Sequence, residues 1–137
     1  MMPLAVTRAP IPPEYHGWWR ITSASRWRTD ELDELGPALV SITGADDRLR
    51  MLAFLANVRW RRGRAGLVFA WSGAWQLDRV TGTGGARLTR SGRLHGRFEL
   101  AHGDRSSFVA ERAAAPAVPI AAPISYGAGR GERGSAR

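Results

Sequence analysis

Six tryptophans and 20 basic residues, all of them arginine, are the side chains of this sequence best suited to binding a ligand. Trp71 and Trp75 flank a short Ser-Gly-Ala segment, and Asp78 follows as the only acid between Asp47 and Glu99. Indole rings stack on planar ligands, and a carboxylate can orient a ligand amine. We predict a ligand site at one open end of the fold, formed by Trp19, Trp71, Trp75, Asp78 and Asp104. The alternative is that the tryptophans fill the core and Asp104 caps its own turn.

Arginines occupy outward-facing alternate positions, two or four residues apart, in several apolar stretches of the chain, at Arg48, Arg50, Arg59, Arg61, Arg93 and Arg97. If these stretches are neighbouring strands, the arginines form a basic outer face that can contact the phosphates of a nucleic acid. The net charge of +8 permits such a partner. The alternative is a solvated sheet face that is rich in arginine because of codon bias in a GC-rich genome.

A hydrolytic site is a further hypothesis, since His102, Asp104, Ser106 and Ser107 offer a base, an acid that orients it and two nucleophiles. These residues share one tight turn, in which their side chains do not converge as catalysis requires. The three histidines have no further ligands at metal-binding spacing, so we expect no metal and no other cofactor. Enzymatic activity therefore stays open, and the pattern favours a protein that is not an enzyme.

Hydrophobic periodicity predicts the elements that position these side chains. Leu94, Gly96, Phe98 and Leu100 alternate with charged residues, and this period of two gives a strand one apolar face. A Gly-Asp turn at Gly103 leads into a second apolar stretch, so residues 93–112 are predicted to form an antiparallel hairpin.

The remaining strands are predicted at hairpin spacing, over residues 17–28, 38–43, 48–55, 58–62, 67–72, 75–80 and 86–90, with a loose glycine-rich turn at residues 82–85. One short helix is predicted at Asp30–Leu35, where acids crowd the first turn and Gly36 and Pro37 end it. Eight or nine short strands with regular turns predict an all-β fold. We expect a small antiparallel meander barrel of about eight strands, with a sandwich as the alternative.

A single domain is predicted over residues 17–112. Residues 1–16 carry four prolines and form a predicted disordered arm, and the Ala-, Pro- and Gly-rich residues 113–137 form a predicted disordered basic tail. The chain has no cysteine, which fits a reducing compartment, and no apolar run of the ~18–20 residues needed to span a bilayer. We therefore predict a cytoplasmic protein without membrane contact.

The order of these signals resembles a family of short bacterial single-domain proteins of unassigned function. The family pattern opens with a G-x-W-R-I strand and closes with a G-D-x-S-x-F hairpin, and it is matched here by Gly17, Trp19, Arg20, Ile21, Gly36, Pro37, Trp71, Gly73, Asp78, Gly103, Asp104, Ser106 and Phe108. The resemblance implies a compact β protein and no particular reaction. This chain departs from the family at Ala74, Trp75 and Gln76, where the family is acidic, and at Ala101, where it often has a histidine.

The opening G-x-W at Gly17 also resembles lipocalin-type barrels, which implies a barrel of lipocalin or calycin type and nothing about the ligand. We therefore predict a non-enzymatic binding module, a β-barrel that binds a small ligand or a protein partner. The alternative is a nucleic-acid-associated protein that uses the arginine-rich sheet face and the basic tail. Salt dependence separates the two predictions, because binding through phosphates weakens steeply as salt is added.

Overall fold

The computed structural model describes residues 10–75, 78–101 and 103–123, and in this part of the chain the polypeptide forms eight strands. They are β1 (Gly17–Ala24), β2 (Leu39–Ile42), β3 (Asp47–Met51), β4 (Phe54–Arg62), β5 (Leu67–Trp75), β6 (Asp78–Leu88), β7 (Leu94–Leu100) and β8 (Arg105–Ala113). One short helix, α1 (Thr29–Leu32), lies between β1 and β2, and a turn of 3-10 helix (Pro13–Tyr15) precedes β1.

Each strand pairs antiparallel with the next one in the chain, and β8 pairs with β1, so the sheet closes into a barrel. This confirms the all-β meander barrel of about eight strands with a short helix near the N-terminus. Closure also gives each of the eight described strands a partner on both sides, which covers the sheet edges that other chains could otherwise pair with.

Alternate side chains of each strand point into the barrel. On β7, Leu94, Phe98 and Leu100 are buried, whereas His95 and Arg97 are exposed. The period of two in the sequence therefore identified the inner and outer faces of this strand. The same alternation runs along β4 and β5, whose buried and more exposed residues follow one another.

Aromatic rings cross the barrel interior from strand to strand. Ring centroids are 4.5 Å apart for Trp60 and Phe69, 5.8 Å for Phe69 and Phe98, and 4.5 Å for Phe98 and Phe108. All four side chains are 5% exposed or less. An eight-stranded barrel is just wide enough for side chains to fill, and here large rings fill it.

The glycine-rich residues 82–85 lie in the middle of β6, so the turn predicted there is wrong. Gly82 and Gly84 face the interior, where an added Cβ atom would lie 2.4 Å from ring atoms of Trp71 and Phe69, respectively. The two rings therefore rest directly against the strand backbone. Glycine is required here by the close approach of a ring rather than by turn geometry.

Residues 10–16 cover one end of the barrel, which we name the arm end. Ile11 and Tyr15 are buried in the core, and the Tyr15 hydroxyl accepts a hydrogen bond from the backbone of β6. The Trp19 indole Nε1 donates to the Tyr15 carbonyl oxygen at 3.0 Å. The Arg112 guanidinium lies 4.3 Å from the Trp19 ring centroid and donates to backbone carbonyls of the arm. The packed unit thus begins before the predicted domain boundary at residue 17.

The opposite end of the barrel is covered by α1, and we name it the helix end. Leu32 is fully buried, and its carbonyl oxygen accepts a hydrogen bond from the Leu52 backbone nitrogen at 2.8 Å. The helix predicted at Asp30–Leu35 is present but shorter: it ends at Leu32, and residues 33–35 form a turn.

The turn between β3 and β4 falls at Leu52 and Ala53, inside the single strand predicted over residues 48–55, so that prediction is wrong. Leu52 has a φ of 56°, which few residues other than glycine adopt. The turn contains none of the Gly, Pro, Asn or Asp residues that mark turns in a sequence. Burial of the Leu52 side chain and its bond to Leu32 stabilise the strained conformation.

After β8 the described chain continues to residue 123, with Ile120 buried and Val118 exposed. Most of the arm and tail predicted to be disordered, residues 1–9 and 124–137, lies outside the described residues. Within the described ranges, no helix is long and apolar enough to cross a membrane.

Candidate anion-binding groove

The outward side chains of β4, β5, β6 and β7 form a groove on the barrel surface. One row across these strands places Arg61 opposite Val68, Val68 opposite Gly85, and Gly85 opposite Arg97. Arg59 lies two residues before Arg61 on the same face of β4. Small residues of β5 and β6 make the floor, and arginines of β4 and β7 make the walls. We name this surface the arginine groove.

Two adjoining depressions make up the groove. One, of about 400 Å³, lies over the middle of the strands and is lined by the arginines of both walls. The other, of about 490 Å³, lies toward the arm end, where the β4–β5 turn contributes Arg64 and β6 contributes Arg87. Val68 and Arg97 line both depressions, so the two adjoin.

The arginines of the groove have few acidic side chains near them. No acidic side chain among the described residues lines either depression. The Arg97 Nε atom lies 3.3 Å from Glu99 Oε2, but both side chains are exposed, so the pair contributes little. Within the described part of the chain, no ion pair is made by the other groove arginines, Arg59, Arg61, Arg64 and Arg87. Four guanidinium groups without an ion pair among the described residues, and that of Arg97 in an exposed pair, thus face a ligand on one surface.

Three of the six arginines predicted to contact nucleic acid come together in this groove, namely Arg59, Arg61 and Arg97. The other three lie elsewhere on the barrel and bind protein groups, Arg48 through Asn57, Arg50 through the carbonyl of Pro37 and Arg93 through Glu111. These three lie outside the groove, because β3 is on the far side of its β4 wall and Arg93 precedes β7, so contact of all six arginines with nucleic acid stays a prediction.

Sequence reasoning missed Arg64 and Arg87. Arg64 lies in the β4–β5 turn, where no periodicity indicates the direction of a side chain. Arg87 shares the outer face of β6 with Thr83 and Gly85, and the interpretation of residues 82–85 as a turn hid this alternation. Reading the period of two through the glycines would have found Arg87.

Comparison with known proteins identifies no relative of this chain. No family model, no curated protein and no solved structure matches this chain. Membership of the bacterial family that the motifs resemble therefore stays a prediction, as do the cytoplasmic location and the partners. The evidence on function is therefore the chemistry of the groove and of the barrel interior.

The five residues predicted to form a ligand site are divided between the two ends of the barrel. Trp75 ends β5 and pairs with Asp78 at the start of β6, which places both at the helix end. Asp104 precedes β8 at the same end and lies 3.2 Å from a guanidinium nitrogen of Arg26. Trp19 lies at the arm end, because β1 begins there. The five residues therefore do not form one site.

Trp71, the remaining residue of that prediction, is buried inside the barrel. Its ring makes an edge contact with Phe54, with centroids 4.9 Å apart, and lies against Gly82. The Trp71 Nε1 atom is buried and has no hydrogen-bond partner among the described residues, whereas Trp60 Nε1 donates to the Ser41 carbonyl oxygen at 2.9 Å. A buried unpaired donor costs free energy, so the Trp71 N–H is a group that an acceptor on a ligand would satisfy.

The residues considered for a hydrolytic site have structural roles where the structure describes them. Ser106 is buried, and its hydroxyl lies within hydrogen-bond distance of the Ser25 hydroxyl and the Arg26 backbone nitrogen. His102 lies outside the described residues. Among the residues with a described position, no three His, Cys, Asp or Glu side chains are grouped to hold a metal ion.

Proposed function

We propose that this barrel is a binding module for single-stranded nucleic acid and that it holds the phosphates of the strand along the arginine groove. The supporting observation is the convergence of five arginines, from β4, the β4–β5 turn, β6 and β7, on a surface that no described acid lines. The planar guanidinium donates two parallel hydrogen bonds to a phosphate. Each phosphate contact also releases counterions, which favours binding and makes it dependent on salt.

The dimensions of the groove favour a single extended strand. Neighbouring β-strands lie ~4.8 Å apart, so the backbones of the two walls, on β4 and β7, are separated by about 14 Å. Arg59 and Arg61 are two residues apart, which spaces their backbones by ~6.8 Å along the wall. A nucleic acid strand, whose phosphates repeat regularly, can place successive phosphates beside these regularly spaced arginines. The small floor residues Val68 and Gly85 leave room for it between the walls.

The groove is suited to the backbone of the strand rather than to its bases. Proteins that hold the bases of single strands stack them on aromatic side chains. Among the described residues that line the groove, the aromatic rings are those of Phe69, which is buried in the barrel interior, and of the single His95 at the arm end. We therefore expect the bases to point away from the groove and the protein to show little sequence preference.

The test is fluorescence anisotropy of a labelled oligothymidine with the full chain across a range of salt concentrations. If all five arginines contact phosphates, log Kd changes with log salt with a slope of about 3.5, since each contact to a single strand contributes ~0.7. The triple variant Arg59→Gln/Arg61→Gln/Arg97→Gln should reduce the slope to about 1.4, the value for two contacts.

A matched control removes the same charge outside the groove. The variant Arg26→Gln/Arg28→Gln/Arg93→Gln changes three arginines that pair with acids elsewhere on the barrel, and it should keep the native slope. Equal losses in the two triple variants would show attraction by net charge and contradict the groove. Polyglutamate that bound as tightly as the oligonucleotide would assign the groove to an acidic protein partner instead.

Binding of a small ligand inside the barrel is the second candidate function, and the unpaired N–H of Trp71 favours it. A neutral ligand with an acceptor oxygen would enter at the helix end, beside Trp75, and accept this hydrogen bond. Buried rings fill much of the described interior, so such a ligand must displace side chains, and for this reason we rank the groove first. A quench of tryptophan fluorescence by small aromatic amides, lost in Trp71→Phe, would support the interior site, and an unchanged quench would exclude it.

A further inference from the structure

The depression at the arm end of the arginine groove has a denser set of cationic groups than one phosphodiester needs. The guanidinium groups of Arg64, Arg87 and Arg97 line it together with the His95 ring, and these residues come from the β4–β5 turn, β6 and β7. The strand register places Arg87 directly opposite His95 and Arg97 opposite Gly85. No acid of the described chain lines this depression, which is also the larger of the two.

Two glycines give the depression its shape. A Cβ atom at Gly85 would lie 2.8 Å from Arg97 Nη1, so the Arg97 guanidinium lies over Gly85. Gly66 has a φ of +149°, and a Cβ atom there would lie 2.5 Å from the Ala86 carbonyl oxygen and 2.9 Å from the Arg87 Cβ atom. Only a residue without a side chain lets the β4–β5 turn rest this closely against β6. The turn thus bounds the depression beside Arg87.

We infer that this depression binds the terminal phosphate monoester of a nucleic acid strand, an inference that rests on the proposed function of the groove. A phosphodiester in the chain carries one negative charge. A monoester carries ~1.5–2 negative charges at pH 7 and three strong acceptor oxygens. Three guanidinium groups around one depression match the dianionic group, and the His95 ring adds a further hydrogen-bonding nitrogen.

A free nucleotide monophosphate presents the same dianionic group as the end of a strand. The adjoining depression favours the strand end, because Arg59 and Arg61 lie where the next phosphates of a bound strand would follow. A free nucleotide would leave these two arginines without a ligand. The experiment therefore has to separate the strand end from the nucleotide.

The test compares three labelled oligothymidines of one length, with a 5′-phosphate, a 3′-phosphate or no terminal phosphate, against the full chain at constant salt. We expect one of the two phosphorylated strands to bind about tenfold more tightly than the unphosphorylated strand, which corresponds to ~1.4 kcal/mol. Arg87→Gln should bring this affinity ratio close to one. Arg59→Gln is the matched control, because it should weaken the binding of all three strands by a similar factor and keep the ratio.

Three other outcomes of this experiment would each contradict a part of the proposal. Equal affinity for all three strands would overturn the terminal-phosphate site and leave the groove standing as a strand-binding surface. Binding of none of them would overturn both the groove and the site. If thymidine monophosphate bound as tightly as the phosphorylated strand, the ligand of the depression would be a free nucleotide and the strand-end assignment would be wrong.

Discussion

The inner and outer faces of β6 place two neighbouring glycines against very different side chains. Gly84 faces inward, and the ring of Phe69 occupies the space that its side chain would take. Gly85 faces outward, and the guanidinium of Arg97 lies over it. The Phe69 ring is buried among other rings, whereas the Arg97 side chain is exposed and paired with Glu99 at the surface. The absence of a side chain at Gly84 therefore makes room for a core ring, and its absence at Gly85 makes room for an accessible guanidinium group.

This difference separates stability from binding within the same strands. Buried apolar surface contributes ~25 cal/mol per Å² to folding, so the inner rings carry much of the stability of the barrel. Exposed arginines contribute little to folding, because water solvates them in the folded and unfolded states alike. Changes on the inner face should therefore unfold the protein, and changes on the outer face should alter what it binds.

The largest expected effect comes from Phe98→Ala, compared with Arg97→Ala at the preceding position of β7. Phe98 is 2% exposed and contacts Phe69 and Phe108, so its loss should lower the free energy of unfolding by ~3–5 kcal/mol. Arg97→Ala should stay within ~0.5 kcal/mol of the native value. Urea denaturation followed by tryptophan fluorescence measures both.

Phe98→Leu keeps the comparison measurable if Phe98→Ala does not fold, since it leaves a smaller cavity. A destabilisation by Arg97→Ala as large as that of Phe98→Leu would show that the Arg97 guanidinium is part of the folding scaffold. The claim that the inner face sets stability and the outer face sets binding would then be wrong.

An intermediate effect is expected from Gly84→Ala, compared with Gly85→Ala. A Cβ atom at Gly84 would lie 2.3 Å from the Arg97 carbonyl oxygen, which cannot move without shifting the strand, so we expect a loss of ~1–3 kcal/mol. A Cβ atom at Gly85 meets the flexible end of the Arg97 side chain at 2.8 Å and the Leu67 carbonyl oxygen at 3.2 Å, a tight but less severe contact, so we expect a smaller loss, below ~1 kcal/mol. Thermal and urea denaturation test both values. Gly85→Ala should instead reduce the preference for phosphorylated strands, and an unchanged preference would argue against the position assigned to Arg97.

The smallest expected effect compares two tryptophans of the inner face. Trp60→Phe removes a hydrogen bond to the Ser41 carbonyl oxygen, whereas Trp71→Phe removes a donor that has no partner among the described residues. Trp60→Phe should therefore lower the free energy of unfolding by ~1 kcal/mol more than Trp71→Phe. Equal losses in urea denaturation would mean that the Trp71 N–H is satisfied by a bound acceptor, which would favour the small-ligand candidate.

Local pattern predicted some elements of the barrel well and others not at all. The hairpin around Leu94 and Phe98 was predicted because each of its strands has one apolar face and a polar turn joins them. The turn at Leu52 and Ala53 was not predicted, since it has no turn residues of its own. It depends on burial beneath Leu32, a contact between residues that are far apart in the sequence.

The candidate site was likewise predicted only in part. Alternation identified Arg59, Arg61 and Arg97 as outward-facing residues, but it could not show which outward faces would be neighbours. Pairing of β4 with β5, β5 with β6 and β6 with β7 brings these three arginines together with Arg87. The same closure of the barrel places Trp19 at the end opposite Trp75, which divided the predicted ligand site.

Local patterns along the chain were enough to predict the all-β class, the approximate strand number, the inner and outer faces of most strands and the arginine and tryptophan side chains available for binding. These properties depend on residues a few positions apart, because the side chains of a strand alternate with a period of two. The tertiary structure alone decided the register across strands, the closure of β8 on β1, the turn at Leu52 and the membership of the groove. These features depend on contacts between distant parts of the chain. A period of two assigns a side chain to one face of a strand, but it does not identify the neighbouring strand or its side chains.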